Sequence, residues 1–557
     1  LESEDAPPER YFRRHGRLGG AMNYNLAQPL HDNSVAYPGH LALWADGLEF
    51  SYQELAARAR AIAGTLLRRS PAGALRVAIL GSRSLEALGG VLGTAWAGGA
   101  YVPISLSAPE ERILAILGMV KAHALIADHK GAQLLTERVR AACPPLVLVP
   151  DAGTAAHLGA EGGPQVSAMD ALPPAEGPDT PVEVGPAGHA YILFTSGTTG
   201  APKGVVNSTG AVHHYVSWAM DYLRPGPEDR VIEPIELTFD LSVHNMFVAW
   251  RAGASLHVLP YSKALGITKF IQDQGITHIF NVPSTIALAK RVNALRPGSM
   301  PSLRVSLFAG EALPESSALA WKAAAPNCAV YSLYGPTETT VACHAQPVEI
   351  PPLLTPVRNI MALGHPFPGM DAMVVDGDLR RVPAGHPGEL ALAGPQVAEG
   401  YLDAPELTAA RFPMIGGRRW YLSGDLAMQD ENGIFHHLGR TDNQVKVRGF
   451  RIELEEVEAH LRDAAGTAMA AAVAWPVENG SADGIIGFVA ETDLEPAAIR
   501  EVLRRRLPAY MVPTPIRCLA EMPLSANGKI NRKAIIAMLE AERAEQTQPQ
   551  AISATAG

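Results

Sequence analysis

The chain is poor in cysteine, in aromatic residues and in charge: 4 Cys, 6% aromatic and 18% charged residues in 557. Cys143, Cys328, Cys343 and Cys518 form no CxxC pair and no metal-ligand spacing. That excludes a disulfide framework, and the expectation is reduced thiols in a cytoplasmic protein. A basic excess is missing as well, with 46 Lys and Arg against 56 Asp and Glu, a net charge of −10 and a pI near 6.0. A general nucleic-acid binder is disfavoured on that ground. Long hydrophobic runs are also missing. The uncharged stretch Ala87–Ser105 carries five glycines and Pro103 and falls short of the roughly 20 strongly apolar residues of a membrane span. It reads as a small-residue helix followed by the strand Ala100–Ile104, and a soluble protein is expected.

What is abundant is small and apolar: 47% hydrophobic residues, 52 Gly and 45 Pro. This is enough for a large core and too much for a disordered chain. The length allows three to four folding units, or one long α/β domain with a smaller companion. Residues 1–21 hold Arg10, Arg13, Arg14 and Arg17 without an apolar run, so they read as a disordered extension rather than a signal peptide, with Met22 as a plausible start. Ser51 and Glu54, three apart, form a capping box that starts a helix over Tyr52–Leu67. Short apolar runs (Val77–Leu80, Ala124–Ala127, Leu146–Val149, Tyr191–Phe194, Ile276–Phe280, Val305–Phe308) alternate with helical stretches. The expected class is α/β, with mainly parallel sheets covered by helices. Residues 151–190 read as surface connection. Past Gly439 the texture becomes charged and suggests a small α+β unit, with the tail fraying beyond Glu542.

The most informative segment runs from Tyr191 through Phe194 into Thr195-Ser196-Gly197-Thr198-Thr199-Gly200-Ala201-Pro202-Lys203-Gly204. A strand opens into small residues, hydroxyls and one lysine, which lets backbone N–H groups approach phosphate oxygens. The spacing is not that of a P-loop.

With this loop stand FSYQEL (50–55), AGGAYVPI (97–104), TFDLS (238–242), YGPTE (334–338), GEL (388–390), GY (400–401), YLSGDL (421–426), GRTDNQVKVRGFRIELEEVE (439–458), LPAYMVP (507–513) and NGKINR (527–532). The set, in this order, resembles the adenylate-forming superfamily of acyl-CoA synthetases, luciferases and nonribosomal peptide synthetase adenylation domains. The resemblance spans about Asn23 to Lys533. It implies a domain over 22–440 that binds ATP and the acid, a hinge at 441–442 with Asp442 as pivot, a mobile domain over 443–540 and a flexible tail over 541–557. By the same resemblance Thr195, Ser196, Gly197, Thr198, Thr199 and Lys203 hold phosphates, and Tyr334 stacks on adenine beside Gly335 and Thr337. Glu338 takes Mg²⁺, Asp425 accepts from the ribose hydroxyls, and Arg440 lies near the ribose and α-phosphate. Lys529 is the catalytic residue, whose ammonium meets the charge that grows as a carboxylate attacks the α-phosphate.

Asp240 separates amino-acid-activating members, which pair it with the α-ammonium, from fatty-acid and aryl-acid members. Its structural alternative is a cap for a helix starting at Leu241. By similarity the pocket is lined by Asp240, Leu241, His244, Phe280, Leu307, Ala309, Gly310, Leu333, Val341 and Ala342. Its largely apolar walls favour a compact apolar amino acid. The set resembles that of free-standing prolyl adenylation enzymes; D-alanine–carrier-protein ligases, which also have FDLSV, are the alternative. His213-His214 lacks the Asp-Gly of an acyltransfer motif, and no GxSxG or HExxH occurs. Only 25 residues follow Arg532, too few for a carrier domain, so the expectation is a free-standing enzyme loading the phosphopantetheine thiol of a separate carrier protein. An acyl-CoA ligase and a non-catalytic nucleotide sensor remain as alternatives. The carboxylate at Asp240 disfavours the first. Lys203, Glu338 and Lys529 disfavour the second.

Overall fold

Runs such as Val77–Leu80 and Leu146–Val149 are apolar at successive positions because both faces of their strands are covered, the condition under which parallel sheets form. The computed structural model describes residues 22–69, 75–159, 163–173, 176–197, 202–478, 481–524 and 530–547. The chain divides into two units, Leu1–Thr195 with Pro202–Asp442, and Ser196–Ala201 with Asn443–Gly557.

The first unit holds an eight-stranded and a nine-stranded sheet. In the eight-stranded sheet Ala100–Ile104, Arg76–Leu80, Ala124–Ala127, Leu146–Val149 and Gln165–Ala168 run parallel, while His189–Thr195 and Lys203–Ser208 form an antiparallel hairpin at its other side. In the nine-stranded sheet Ser255–Val258, Arg230–Glu233, His278–Asn281, Val305–Phe308 and Ala329–Tyr334 are parallel. A four-stranded antiparallel sheet carries Tyr421–Gln429 beside Phe435–Arg440. The expected α/β class is observed. The capping box is also realised: Glu54 Oε2 accepts the Ser51 N–H at 2.8 Å, Ser51 Oγ accepts the Glu54 N–H at 3.3 Å, and the helix runs Tyr52–Arg69.

Two expectations change. Within 151–190 lie a helix, Ala152–Leu158, and the edge strand Gln165–Ala168. That strand is half-exposed and has no apolar run, so periodicity does not reveal it. The last helix runs Arg532–Thr547, past Glu542. Its Ala, Glu and Gln residues are good helix formers, and Arg517 Nη1 donates to the Glu542 carboxylate at 2.7 and 2.9 Å. The rest of the second unit is α+β, with Ala470–Ala474, Ile485–Val489 and Ile516–Cys518 in one sheet and helices Leu454–Ala465 and Pro496–Arg506. Among the described residues no helix is long and apolar enough to cross a membrane.

The first unit buries several histidines. Burial pushes His213, His257 and His278 down to about 4 and His344 to about 3. Burial pushes Glu233 the other way, up to about 8. Between pH 4 and the usual histidine value near 6.5, the unfolded chain binds protons that the folded chain refuses, so these histidines make stability fall as the pH is lowered through that window. Glu233 has the opposite sign, because its folded form keeps a proton that the unfolded form has lost. Unfolding at pH 5.5 should therefore take up a net of about two to four protons. Calorimetry in two buffers of different ionisation enthalpy counts them, and net release would contradict the assignment.

Candidate active site

The loop that leaves strand Arg230–Glu233 delivers Asp240 to the start of helix Leu241–Ala252. The helix begins where the capping alternative requires, yet the Asp240 side chain makes no capping hydrogen bond and its backbone is already helical, φ −68° and ψ −14°. The carboxylate is buried, and its charge raises the hydroxyl pKa of Tyr101, Tyr191 and Tyr215, after the larger effect of burial on each. A helix N-terminus favours an anion at this point.

Strand register gathers the other pocket residues. Phe280 pairs with Leu307, and Leu307 with Tyr331. Side chains alternate along a strand, so Phe280, Leu307, Ala309 and Leu333 fall on one face of the nine-stranded sheet. His244, one turn into the helix from Asp240, meets Phe280 edge-to-face at 5.0 Å between ring centroids. Leu241, Val341 and Ala342 are buried with them, and Gly310 has φ +83°. Val341 and Thr340 have φ +68° and +56°, a strained conformation for β-branched residues. What holds them is Gln396, a residue that no sequence signal marks. Its Nε2 lies 3.2, 3.2 and 2.6 Å from the carbonyls of Thr339, Thr340 and Ala342. Asn207 Nδ2 donates to Thr340 Oγ1 at 2.8 Å.

Around Asp425 the expected residues converge. Tyr334 donates its hydroxyl to Asp425 Oδ2 at 2.6 Å, and Arg440 Nη1 donates to Oδ1 at 2.7 Å. His437, which sequence reasoning missed, places Nε2 at 3.4 Å from the same Oδ1. Arg440 also grips Asp442, from Nε at 2.6 Å and Nη2 at 2.8 Å. Gly424 lies beneath this pair with φ +72°, and a Cβ there would fall 2.6 Å from both Arg440 Nη2 and Asp442 Oδ2. That is why the YLSGDL segment needs glycine.

Glu338 is buried and accepts the Tyr401 hydroxyl at 2.9 Å, and Lys203 Nζ stands over the Tyr401 ring, 5.3 Å from its centroid. Tyr401 is the tyrosine of the GY pair. Thr337 opens the turn Thr337–Thr339 and its carbonyl accepts from Asn207 Nδ2 at 3.1 Å. Gly335 lies so close to Ala342 that a Cβ would sit 2.5 Å from the Ala342 Cα, which ties the YGPTE segment to the Val341–Ala342 pair. Thr195 and Lys203 are register partners across the hairpin. Ser196 and Gly197 group with the second unit. Thr198, Thr199 and Lys529 lie outside the described residues.

Among the described residues no group of three or more His, Cys, Asp or Glu side chains is arranged to hold a metal. A single carboxylate such as Glu338 fits a hard cation whose remaining ligands are phosphate oxygens and water.

The chain is similar to large biosynthetic enzymes. It is 35% identical over 519 residues to tyrocidine synthase 2 of Brevibacillus parabrevis, covering 92% of this chain and 13% of that one. It is 33% identical to the AMB antimetabolite synthetase AmbB of Pseudomonas aeruginosa, covering 92% and 39%. It therefore spans well under half the length of these relatives. Among solved structures, the Vibrio cholerae adenylation domain AlmE in complex with glycyl-adenosine-5'-phosphate matches with a TM-score of 0.82 and 29% identity, covering 95% of this chain and all of that one. Residues 30–402 match the AMP-binding enzyme family. With its motif order, its parallel sheets and the Tyr334–Asp425–Arg440 cluster in agreement, the chain belongs to that family, the adenylate-forming enzymes.

Proposed function

We propose that this protein activates a compact apolar amino acid, proline or one of similar size, as its adenylate and passes it to the phosphopantetheine thiol of a carrier protein. The observation that carries the reading is Asp240. It is a buried carboxylate at a helix start, not used as the helix cap, beside largely apolar residues. An α-ammonium suits it, whereas the tail of a fatty or aryl acid would not. The glycyl adenylate named for the Vibrio cholerae structure supports a small amino acid.

In this reading Tyr334, Asp425 and Arg440 seat the adenosine, with Gly335 and Thr337 lining the same turn. Lys203 and the hydroxyls of Thr195, Ser196, Thr198 and Thr199, with the Gly197 N–H, receive the phosphates. A magnesium ion at Glu338 would neutralise phosphate charge. The amino acid, held by Asp240, turns its carboxylate toward the α-phosphorus. A carboxylate oxygen bonds to phosphorus and the pyrophosphate oxygen leaves, while Lys529 stabilises the charge on the transferring group. In the second step a thiolate attacks the acyl carbon and AMP leaves. ATP–pyrophosphate exchange across the common amino acids, with pipecolate and azetidine carboxylate, tests the reading; exchange with no amino acid would end it.

Three variants refine it. Lys529→Ala should abolish exchange while ATP binding stays close to wild type, because its charge acts on the transition state. Wild-type exchange in that variant would remove Lys529 from the chemistry. Asp240→Ala should raise the amino-acid KM by about 100-fold, equivalent to about 3 kcal/mol for a lost charge-assisted partner, with little change in the ATP KM. Equal loss for both substrates would place the ammonium elsewhere. At Asp442 the carboxylate and the backbone must be separated, since Arg440 is bound to both Asp442 and Asp425. Asp442→Ala removes the carboxylate, whereas Asp442→Pro also locks φ. If this is the pivot, exchange should fall alike in the two variants and carrier loading should fall much further in the proline variant. Equal loading would show that the joint lies elsewhere.

A further inference from the structure

Three side chains far apart in sequence meet beside Phe280, one of the proposed pocket residues. Tyr215, on helix Thr209–Leu223, brings its hydroxyl 2.8 Å from His244 Nδ1. His244 Nε2 lies 2.9 Å from His278 Nε2, and His278 opens the strand that also carries Phe280. All three are buried. The rings of His244 and His278 stack at 5.1 Å between centroids, and the Tyr215 ring is wedged beside Trp218 and Phe367, at 5.9 and 6.4 Å.

We propose that Tyr215 and His278 are positioning residues that lock the His244 ring as a saturated, neutral floor, so that the pocket selects a short side chain without charge or hydrogen-bonding groups. The inference rests on the amino-acid adenylation reading and adds the residues that set its selectivity.

A neutral imidazole has one donor and one acceptor nitrogen. Whichever way the protons run along the chain, from Tyr215 to His278 or back, both His244 nitrogens are spent on protein partners. The substrate then meets only carbon-bound ring hydrogens and the ring's thickness. Burial keeps the pair uncharged at neutral pH: His278 is pushed down to about 4, and His244 lies well below its usual value. The charges felt by His278 are those of Asp229 and Arg304, which pair with each other at 3.2 Å, so neither is offered to a basic or acidic side chain at this floor. A polar side chain would lose its water without gaining a partner. The helix direction explains the arrangement. Asp240 stands at the helix start, and one turn further His244 reaches His278, the first residue of strand His278–Asn281, while the next residue, Asn245, donates to Glu233 at the end of strand Arg230–Glu233.

The test uses the full chain and compares amino-acid-dependent pyrophosphate exchange with proline, glycine, phenylalanine, threonine and lysine. Wild type should favour proline or glycine over phenylalanine and lysine by at least tenfold in kcat/KM. His244→Ala should cut the preference over phenylalanine at least tenfold. Tyr215→Phe and His278→Phe should cut it at least fivefold through the amino-acid KM, with the ATP KM within twofold of wild type. His278→Gln, whose amide can donate or accept, should recover most of the preference lost in His278→Phe. A purely structural role would lower all substrates together. If His278→Phe does not fold, Tyr215→Phe, which keeps the ring, decides the matter. Selectivity unchanged within twofold in the folded variants would overturn the proposal. So would a wild-type enzyme that prefers phenylalanine or lysine, although that result would leave amino-acid adenylation standing. Exchange with no amino acid would remove both.

Discussion

One guanidinium ties the candidate nucleotide site to the end of the first unit. Arg440 donates to Asp425 through Nη1 and to Asp442 through Nε and Nη2. Planar, permanently charged and able to donate in three directions at once, arginine is the side chain that can hold two carboxylates in fixed relation. Around it the other choices follow. Gly424 is glycine because a Cβ would strike this cluster. Thr441 closes the turn by donating its N–H and hydroxyl to the Gly424 carbonyl, at 2.9 and 3.0 Å. Asp425 keeps its second oxygen for the Tyr334 hydroxyl. A lysine at position 440 would keep the charge and lose the fork, so the two aspartates would no longer report to each other through a rigid plane.

Much of this was legible in the sequence, for a physical reason. Tyr334, Asp425, Arg440 and Asp442 sit in the short strings YGPTE, YLSGDL and GRTD, where neighbouring positions are constrained by the same cluster, as Gly424 is by Arg440 and Asp442. The capping box at Ser51 and Glu54 is local in the same sense, and the helix starts where it directs. The residues that escaped notice act at a distance. Gln396 binds three carbonyls more than fifty positions earlier in the chain. Tyr215 and His278, on a helix and a strand, went unmarked, and of this trio the resemblance named His244 alone. Neither constellation leaves a periodic or spaced signal, because each is made by packing rather than by neighbours along the chain. The edge strand Gln165–Ala168 was hidden for the opposite reason: a half-exposed edge asks little of its side chains.

Two buried carboxyls of the first unit differ in their surroundings. Glu233 is fully buried, accepts from the Ile235 N–H at 2.8 Å and from Asn245 at 3.3 Å, and burial pushes it up to about 8, which favours its protonated form. Asp240, seven residues on, stands at a helix N-terminus, and its charge is felt by three tyrosines. The two carboxyls thus differ in setting, Glu233 buried at a strand end where desolvation outweighs its hydrogen bonds, and Asp240 at a helix start that favours an anion.

Charge is also divided along the first unit. The candidate nucleotide side carries Lys203, Glu338, Asp425 and Arg440, while the proposed pocket floor is made of neutral rings and aliphatic side chains, with Asp240 as the one carboxylate among the proposed pocket residues. On the proposed function, selection of the amino acid splits into two terms of different strength. The α-ammonium would be recognised by charge, and every amino acid offers it equally, so this term separates amino acids from other acids but not from one another. The side chain is recognised by shape against apolar walls, where one methylene is worth about 1 to 3 kcal/mol, or roughly 10- to 200-fold. A site built in this way rejects charged and long side chains strongly and near-isosteres weakly. Its fidelity among small apolar amino acids would then be bounded by the rigidity of the floor, the property proposed for the hydrogen bonds that His244 shares with Tyr215 and His278.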